Sequence, residues 1–299
     1  MSKVSLRISK TFGSRGTSRN IEARRKYIFV FEGEKTEKQY FEGLFDYREE
    51  LGIEDIIDIK TLEREDHTRS NQRKIVEEIH QSLSMVTHIK EDKNAIINKL
   101  MESSQIEMPC DIESIVHRLF QEEVAASEFI ELLERIRLLS DEYEDIAFFI
   151  EQLERLKDIL DYEEGYDNVC IIIDRDKQSF KEDQYDAVLN ICRENQYKLG
   201  VTNPCFEFWL LLHKNDCLQL NREELMGNKR VSSRRRYLES LLVSEYGTYQ
   251  KSKLDFELFK NDVNLAIERE QHYCEEPILL KNELGSSVGL IIKELFKKS

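Results

Sequence analysis

The stretch that most constrains this chain is residues 27–37, which read YIFVFEGEKTE. Five apolar residues with high strand propensity lead directly into Glu32 and a glycine. The Lys-Thr-Glu that follows is typical of the start of a helix. This pattern predicts a buried strand that carries Glu32 at its carboxyl end. Ligands of open α/β sheets bind at that edge, so Glu32 is a candidate for a functional site.

A second stretch of the same form lies far along the chain, at residues 169–176, VCIIIDRD. It is again an apolar strand, and it ends in Asp174 and Asp176. Because residues two apart on a strand face the same way, the two aspartates are expected to project together, with Arg175 turned elsewhere. The rest of the chain is then a frame that brings the two strand ends together.

The hydrophobic patterns predict an α/β fold with a mainly parallel sheet flanked by helices. Strand, helix and strand follow one another from residue 27 to residue 61, and right-handed crossover connections make parallel pairing the default. Four strands are predicted, near residues 27–31, 56–61, 168–173 and 197–202. Helices are predicted between and after them, near residues 37–48, 184–195, 205–213, 221–226, 233–245, 256–273 and 286–297.

The region between the second and third strands has a different character. Residues 86–164 show apolar residues at helical spacing and no strand pattern, which indicates a large all-helical insertion. The chain is accordingly divided into a basic tail over 1–26, the first part of the sheet domain over 27–85, the insertion over 86–164, and the second part of the sheet domain with C-terminal helices over 165–299.

The charge of the chain is unevenly distributed. The net charge is −15, yet residues 1–26 hold eight Lys or Arg against one acid, and a second basic run lies at residues 229–236. This asymmetry is compatible with a basic path for nucleic acid on an acidic protein, although a solvated tail explains the first residues equally well. The candidate nucleic-acid contacts are Arg24, Arg25, Lys26, Lys229, Arg230, Arg234, Arg235 and Arg236.

The remaining bulk features indicate a cytoplasmic protein. No apolar run approaches the roughly 18 residues of a membrane span, and the basic N-terminus lacks the apolar core of a secretory signal. The six cysteines are scattered, without a C-x-x-C pair or zinc-site spacing, which favours reduced thiols. The P-loop, dinucleotide-binding and H-E-x-x-H motifs are absent from the sequence, so those enzyme classes are not indicated.

Three of the acidic residues offer the ligands of a hard cation. Neighbouring carboxylates such as Asp174 and Asp176 repel unless they are protonated or bridged by a cation. With Glu32 they suit Mg²⁺ (or Mn²⁺), which prefers oxygen ligands and is commonly held by a few carboxylates and a substrate phosphate. Such an ion polarises a phosphodiester and activates a water. Glu37 and Glu207 complete the candidate set, and for Glu37 an ordinary helix-start acid is an equally good explanation.

A lysine joins the candidate catalytic residues. Lys251 follows a turn-like segment at residues 246–249 and precedes a predicted helix. From there it could offset the charge of a phosphate or of a transition state. The alternative for an isolated lysine is a solvated surface position.

These residues resemble the signature of a Toprim domain, in which a Glu-Gly follows the first strand and an Asp-x-Asp follows a later one. The closer resemblance is to the RloB family. It is carried by the strings FEGEKTE at 31–37, DRD at 174–176, NPCFEFW at 203–209 and YQK at 249–251. The chain departs from the family in its long helical insertion, and residues 277–288 follow the family's Asn-Pro-Ser-Thr pattern only loosely.

The resemblance implies a Toprim-like (Rossmann-like) fold and a metal-dependent endonuclease of bacterial antiphage, or abortive-infection, defence. Host nucleic acid is the implied target, with RNA, and tRNA in particular, slightly favoured over DNA. The resemblance also implies an ABC-type ATPase partner, and a phage protein is a candidate trigger. The alternative is a non-catalytic sensor subunit that binds nucleic acid or a partner through the same fold.

Overall fold

The computed structural model describes residues 25–32, 35–53, 57–62, 72–91, 162–177, 179–214, 216–233, 235–247 and 249–296 of the 299-residue chain. Residues 57–62, 82 and 85–91 are described by their backbone alone. The predicted basic tail up to Arg24, residues 92–161 of the predicted insertion, and Arg234 lie outside the described residues.

A mainly parallel sheet forms the centre of the molecule. Its strands are β1 (Arg25–Phe31), β2 (Ile57–Leu62), β3 (Asn168–Asp174), β4 (Lys198–Asn203) and the two-residue β5 (Gly285–Ser286). The spatial order is β2-β1-β3-β4-β5, in which the first four strands are parallel and β5 is antiparallel to β4. The α/β class and the mainly parallel sheet predicted from the sequence are therefore confirmed.

Helices follow most of the strands. They are α1 (Thr36–Asp46), α2 (Arg48–Leu51), α3 (Gln72–Glu91), α4 (Glu182–Glu194), α5 (Phe206–Leu211), α6 (Arg222–Gly227), α7 (Tyr237–Tyr246), α8 (Val263–Glu270) and α9 (Val288–Lys293). Short 3₁₀ turns lie at Cys217–Gln219, Phe256–Leu258, Lys260–Asp262 and Leu279–Lys281. No helix within the described ranges has the length and apolar character needed to cross a membrane.

The sheet is buried on both faces, which explains why its strands read as unbroken apolar runs. Tyr27, Phe29 and Phe31 project into a core cluster that includes residues of α1, α5, α7, α8 and α9. The intervening Ile28 and Val30 are equally buried but lie outside that cluster, as the alternation of a strand requires. By contrast with those helices, α3 and α4 contact each other and contribute no residue to the cluster.

Three boundaries differ from the sequence prediction for identifiable reasons. β1 begins at Arg25 rather than at residue 27, because Arg25 pairs with Ile57 of β2. The helix predicted from residue 233 begins at Tyr237, since the preceding residues form a hairpin. The helix predicted from residue 286 is preceded by β5, where Gly285 is required because an added Cβ would lie 1.9 Å from the Cys274 carbonyl oxygen.

A buried acid joins the two C-terminal helices. Glu270, the last residue of α8, accepts a hydrogen bond at Oε1 from the backbone N–H of Gly289 in α9, at 3.0 Å. Its Oε2 is buried without a hydrogen-bond partner among the described residues. Burial raises the pKa of Glu270 to about 8, so this carboxyl group is mostly protonated at neutral pH.

Candidate functional site

Acidic side chains from separate segments meet at the carboxyl edge of the sheet. Glu32 follows β1, Asp174 ends β3, and Glu207 lies in the first turn of α5, just after β4. Glu37 joins them from the first turn of α1. Burial, and then the charges of these three glutamates, raise the pKa of Asp174 well above its ordinary range. The structure thus brings together four of the residues that the sequence analysis selected.

Hydrogen bonds between neighbouring strand tips hold the first two of these acids. Glu32 Oε2 accepts from the backbone N–H of Asp174 at 2.9 Å, and Glu32 Oε1 accepts from Nε2 of Gln72 at 2.8 Å. Asp174 Oδ1 accepts from the Thr202 hydroxyl of β4 at 2.9 Å. Because two of these bonds connect adjacent strands, the register of the parallel sheet sets how close the two carboxylates lie.

Glu37 is suited to gain and lose a proton near neutral pH. Its side chain is buried, with the residue 8% exposed. Burial is the main cause that raises the pKa of Glu37 to about 7, the charges of Glu207 and Glu32 add to it, and Lys251 opposes it. A carboxyl group with this pKa is about half ionised at pH 7, which is the condition for general acid–base catalysis.

Glu207 is kept ionised by a lysine. Burial alone would raise its pKa, but the ion pair with Lys251, at 2.8 Å between Nζ and Oε1, and further hydrogen bonds outweigh burial and lower it. The Tyr249 hydroxyl donates to the same Oε1 at 3.0 Å. Lys251 also pairs with Glu239 at 3.2 Å, and its side chain is 55% exposed. The predicted Lys251 therefore lies at the solvent-facing side of the acidic cluster.

The helices that carry Glu37 and Glu207 are fixed to each other by a buried histidine. His213 follows α5, and its Nδ1 lies 3.2 Å from the carbonyl oxygens of Trp209 and Leu210, so Nδ1 carries the proton. Nε2 then accepts from the Tyr40 hydroxyl of α1 at 3.0 Å. Burial lowers the pKa of His213 to about 3, so the ring is neutral, and its role is to pack and to orient.

Asp176 does not share the environment of Asp174. β3 ends at Asp174, so the strand alternation that would place both side chains together does not extend to Asp176. Asp174 is half-buried, whereas Asp176 is exposed and accepts from the Ser179 hydroxyl at 3.0 Å. Between them, the buried Arg175 turns away from the cluster, donating to the Phe180 and Lys281 carbonyl oxygens.

The donor set has the chemistry of a Mg²⁺ or Mn²⁺ site in an open arrangement. Two observations fit a cation. Burial, and after it the charge of neighbouring glutamates, raises the pKa values of Asp174 and Glu37, and the buried Oε1 of Gln72 has no hydrogen-bond partner in the described part of the chain. However, no three His, Cys, Asp or Glu side chains among the described residues are arranged to hold a metal ion.

One of the two predicted basic segments lies beside this cluster. Residues 229–233 and 235–236, here called the basic hairpin, are exposed, and Arg230 pairs with Arg236 in antiparallel fashion. The Arg236 backbone N–H donates to Glu239, and Glu239 pairs with Lys251, which in turn pairs with Glu207. One backbone hydrogen bond and two ion pairs thus connect the hairpin to the site. Lys229, Arg230, Arg235 and Arg236 are all exposed.

The other basic segment begins at the opposite end of the sheet. Arg25 and Lys26 start β1, whereas Glu32 follows its last residue, so about 20 Å of strand separates them. Arg25 is exposed and lies over the Tyr166 ring at 5.6 Å, and the Lys26 backbone N–H donates to Asp167. A nucleic acid that touches both basic segments would therefore have to extend along the length of the strand.

Comparison with known proteins identifies the family. The family model described as RloB-like protein matches residues 27–295, which is nearly the whole chain. The chain belongs to the RloB-like family. The matched span of this RloB-like chain includes every acid of the cluster, Lys251 and the basic hairpin. No curated protein and no solved structure matches the chain.

Some residues of the site were not selected from the sequence. Thr202 could have been found, because a Thr at the end of β4 must lie beside the end of β3 in a parallel sheet. Tyr249 lies two residues before Lys251 in the sequence, so its contact with Glu207 could also have been predicted. Gln72 and Glu239 carried no signal, since each is one polar residue at the start of an amphipathic helix and reaches the site only through the tertiary fold.

Proposed function

We propose that this RloB-like protein is a divalent-cation-dependent endonuclease with a Toprim-like fold that cleaves host nucleic acid in antiphage defence. RNA, and tRNA in particular, is the favoured target, with DNA as the alternative. The observation that carries the proposal is the meeting of Glu32, Glu37, Asp174 and Glu207 beside Lys251 at the carboxyl edge of the parallel sheet.

The charge of the cluster supports a cation as the cofactor. An acidic site repels a phosphodiester, so hydrolysis there needs positive charge between the two. A bound Mg²⁺ or Mn²⁺ supplies Lewis-acid chemistry at the phosphate and lowers the pKa of a bound water. Glu32, Asp174 and Asp176 would hold the ion, and Lys251 adds a fixed positive charge at the open side of the cluster.

The other acids have separate roles in this proposal. Glu37 accepts a proton from the attacking water, since its pKa of about 7 leaves part of the population ionised at neutral pH. Glu207 stays ionised and holds Lys251 and Tyr249 in place through its Oε1. Glu207 is therefore a positioning residue for the lysine.

The basic hairpin provides the contact for phosphates outside the site. Its exposed arginines are connected to the cluster through Glu239 and Lys251, so a strand bound at the hairpin passes close to the carboxylates. Such binding weakens steeply with salt. Control by an ABC-type ATPase, which the family resemblance implies, is part of the proposal.

The alternative is a non-catalytic subunit that binds nucleic acid or a partner. The observation that favours it is that no three His, Cys, Asp or Glu side chains among the described residues are arranged to hold a metal ion. This alternative predicts binding without turnover, and binding that survives the loss of Glu32.

A paired cleavage assay tests the proposal. The protein and its Asp174→Asn variant are incubated with total cellular RNA and with plasmid DNA, in Mg²⁺, in Mn²⁺ and in EDTA. Discrete fragments that require metal and that the variant does not produce are expected. Asp183→Asn, an exposed acid in the first turn of α4, is the matched control and should cleave normally.

The possible outcomes separate the candidates. Cleavage of DNA alone would retain the site and change the target. Full activity of Asp174→Asn would refute the assignment of the site. If the protein alone is inactive, the assay is repeated with the co-purifying ATPase and ATP, and continued inactivity there favours the binding subunit.

A further inference from the structure

The acidic cluster contains one buried polar group that the proposed chemistry does not use. Gln72 is the first residue of α3, and it is 0% exposed. Its Nε2 donates to Glu32 Oε1 at 2.8 Å, whereas its own Oε1 has no hydrogen-bond partner among the described residues. Buried side-chain oxygens in folded proteins nearly always have a donor, so this one requires an explanation.

The orientation of the amide follows from the hydrogen bonds of Glu32. Both Glu32 oxygens act as acceptors, Oε2 from the Asp174 backbone N–H and Oε1 from Gln72, so the amide turns its N–H toward Glu32. A half-turn of the amide would place Gln72 Oε1 against Glu32 Oε1, and two acceptor oxygens would then face each other. The Gln72 amide oxygen therefore stays buried, without a hydrogen-bond partner among the described residues, next to an N–H that binds an acid of the cluster.

We propose that Gln72 belongs to a divalent-cation site in this cluster: its amide N–H holds Glu32 in place, and its free amide oxygen receives the cation or a water bound to it. The inference rests on the proposed function, because it takes the cluster to be a cation site. Side-chain amide oxygens are regular ligands of hard cations. Groups that orient a ligating residue typically change metal affinity by about 10-fold to 100-fold.

Mn²⁺ binding to the full chain, followed by the electron paramagnetic resonance signal of the free ion, tests this without any need for activity. Gln72→Met keeps the shape of the side chain and removes both polar atoms. It should weaken Mn²⁺ binding by about 10-fold to 100-fold. Gln39→Met is the matched control, since the Gln39 amide is satisfied by the Ser252 carbonyl oxygen at 3.1 Å and the Leu254 N–H at 2.6 Å. This control should leave the Mn²⁺ affinity unchanged.

Thermal unfolding separates a cation ligand from a packing residue. Gln72→Glu keeps an oxygen but sets a second carboxylate against Glu32, so in EDTA it should melt below the wild type. Mn²⁺ should then raise its Tm by more than it raises the wild-type Tm, and should raise the Tm of Gln72→Met by less. An equal Mn²⁺-induced rise in all three proteins would mean that Gln72 only packs, and would overturn the proposal.

The same titrations distinguish a failure of this proposal from a failure of the proposed function. If Asp174→Asn weakens Mn²⁺ binding and Gln72→Met does not, the cation site stands and Gln72 is not part of it. If the wild-type protein binds no Mn²⁺, both proposals are overturned together.

Discussion

Replacing Glu37 with glutamine should change how the stability of the protein depends on pH. The substitution removes one negative charge from the acidic cluster with almost no change in volume. In the wild type, the pKa of Glu37 is about 7 in the folded protein, against an ordinary value of 4.5. Between those values the unfolded chain has lost a proton that the folded chain retains. The free energy of unfolding therefore falls as pH rises through this window.

The size of the effect follows from the shift. Each unit of pKa corresponds to about 1.4 kcal/mol, so the free energy of unfolding of the wild type falls by about 3 kcal/mol across the whole window. Because glutamine has no proton to lose, the unfolding free energy of the variant does not show this fall. The difference in unfolding free energy, variant minus wild type, should therefore grow by about 3 kcal/mol between pH 4 and pH 8. Cleavage, if Glu37 accepts a proton, should fall by about 100-fold or more.

Urea unfolding in EDTA at constant ionic strength, at several pH values from 4 to 8, measures this difference. Glu42→Gln is the control, because Glu42 is an exposed acid on the same helix, 3.9 Å from Lys38. This variant controls for the loss of one acid from α1. If the Glu37→Gln difference does not grow between pH 4 and pH 8, burial and crowding do not govern this carboxyl group, and the reasoning is refuted.

Two further predictions concern the basic residues and the second buried acid. Replacing Arg230 and Arg235 with alanine should weaken the binding of a short single-stranded oligonucleotide, with the salt slope falling by about 0.7 per lost phosphate contact. Arg25→Ala should weaken the binding only of substrates that are long enough to extend along β1. An equal loss of affinity for the short oligonucleotide would contradict the geometry. Glu270→Gln should remove a fall of about 1.4 kcal/mol per pH unit in unfolding free energy between pH 4.5 and about 8. Urea unfolding near pH 5 and near pH 8 checks this, and equal pH dependence in both proteins would disprove it.

Strands and strand tips could be predicted from the sequence because their causes are local. A run of buried apolar residues identifies β1 and β3, and the carboxyl ends of parallel strands meet at one edge, which is why Glu32 and Asp174 were placed together correctly. Glu207 was placed next to them by the same argument, as the acid that follows β4. The sheet order β2-β1-β3-β4-β5 could not be predicted from the hydrophobic pattern, since it depends on pairings between distant segments.

The environment of Asp176 shows what local reasoning leaves out. The alternation of a strand was extended two residues too far, because the partners that draw Arg175 away from the acidic cluster are not visible in the pattern. They are the Phe180 and Tyr185 rings and the carbonyl oxygen of Lys281, which is 106 positions away. For the same reason the hydrogen bond from Gln72 to Glu32, which spans 40 positions, could not be anticipated.

The pairing of β1 with β3 has a consequence for how the site comes into existence. The Glu32–Asp174 hydrogen bond joins residues 142 positions apart, so closing this loop is among the most non-local steps in folding the sheet. The entropy of loop closure rises only with the logarithm of length, by about 0.6 kcal/mol per doubling. A long segment between the two strands is therefore inexpensive to carry, and segments of different length can be exchanged there without altering the spacing of the acids. The acids meet only once the two strands have docked, so an incompletely folded chain does not present the cluster.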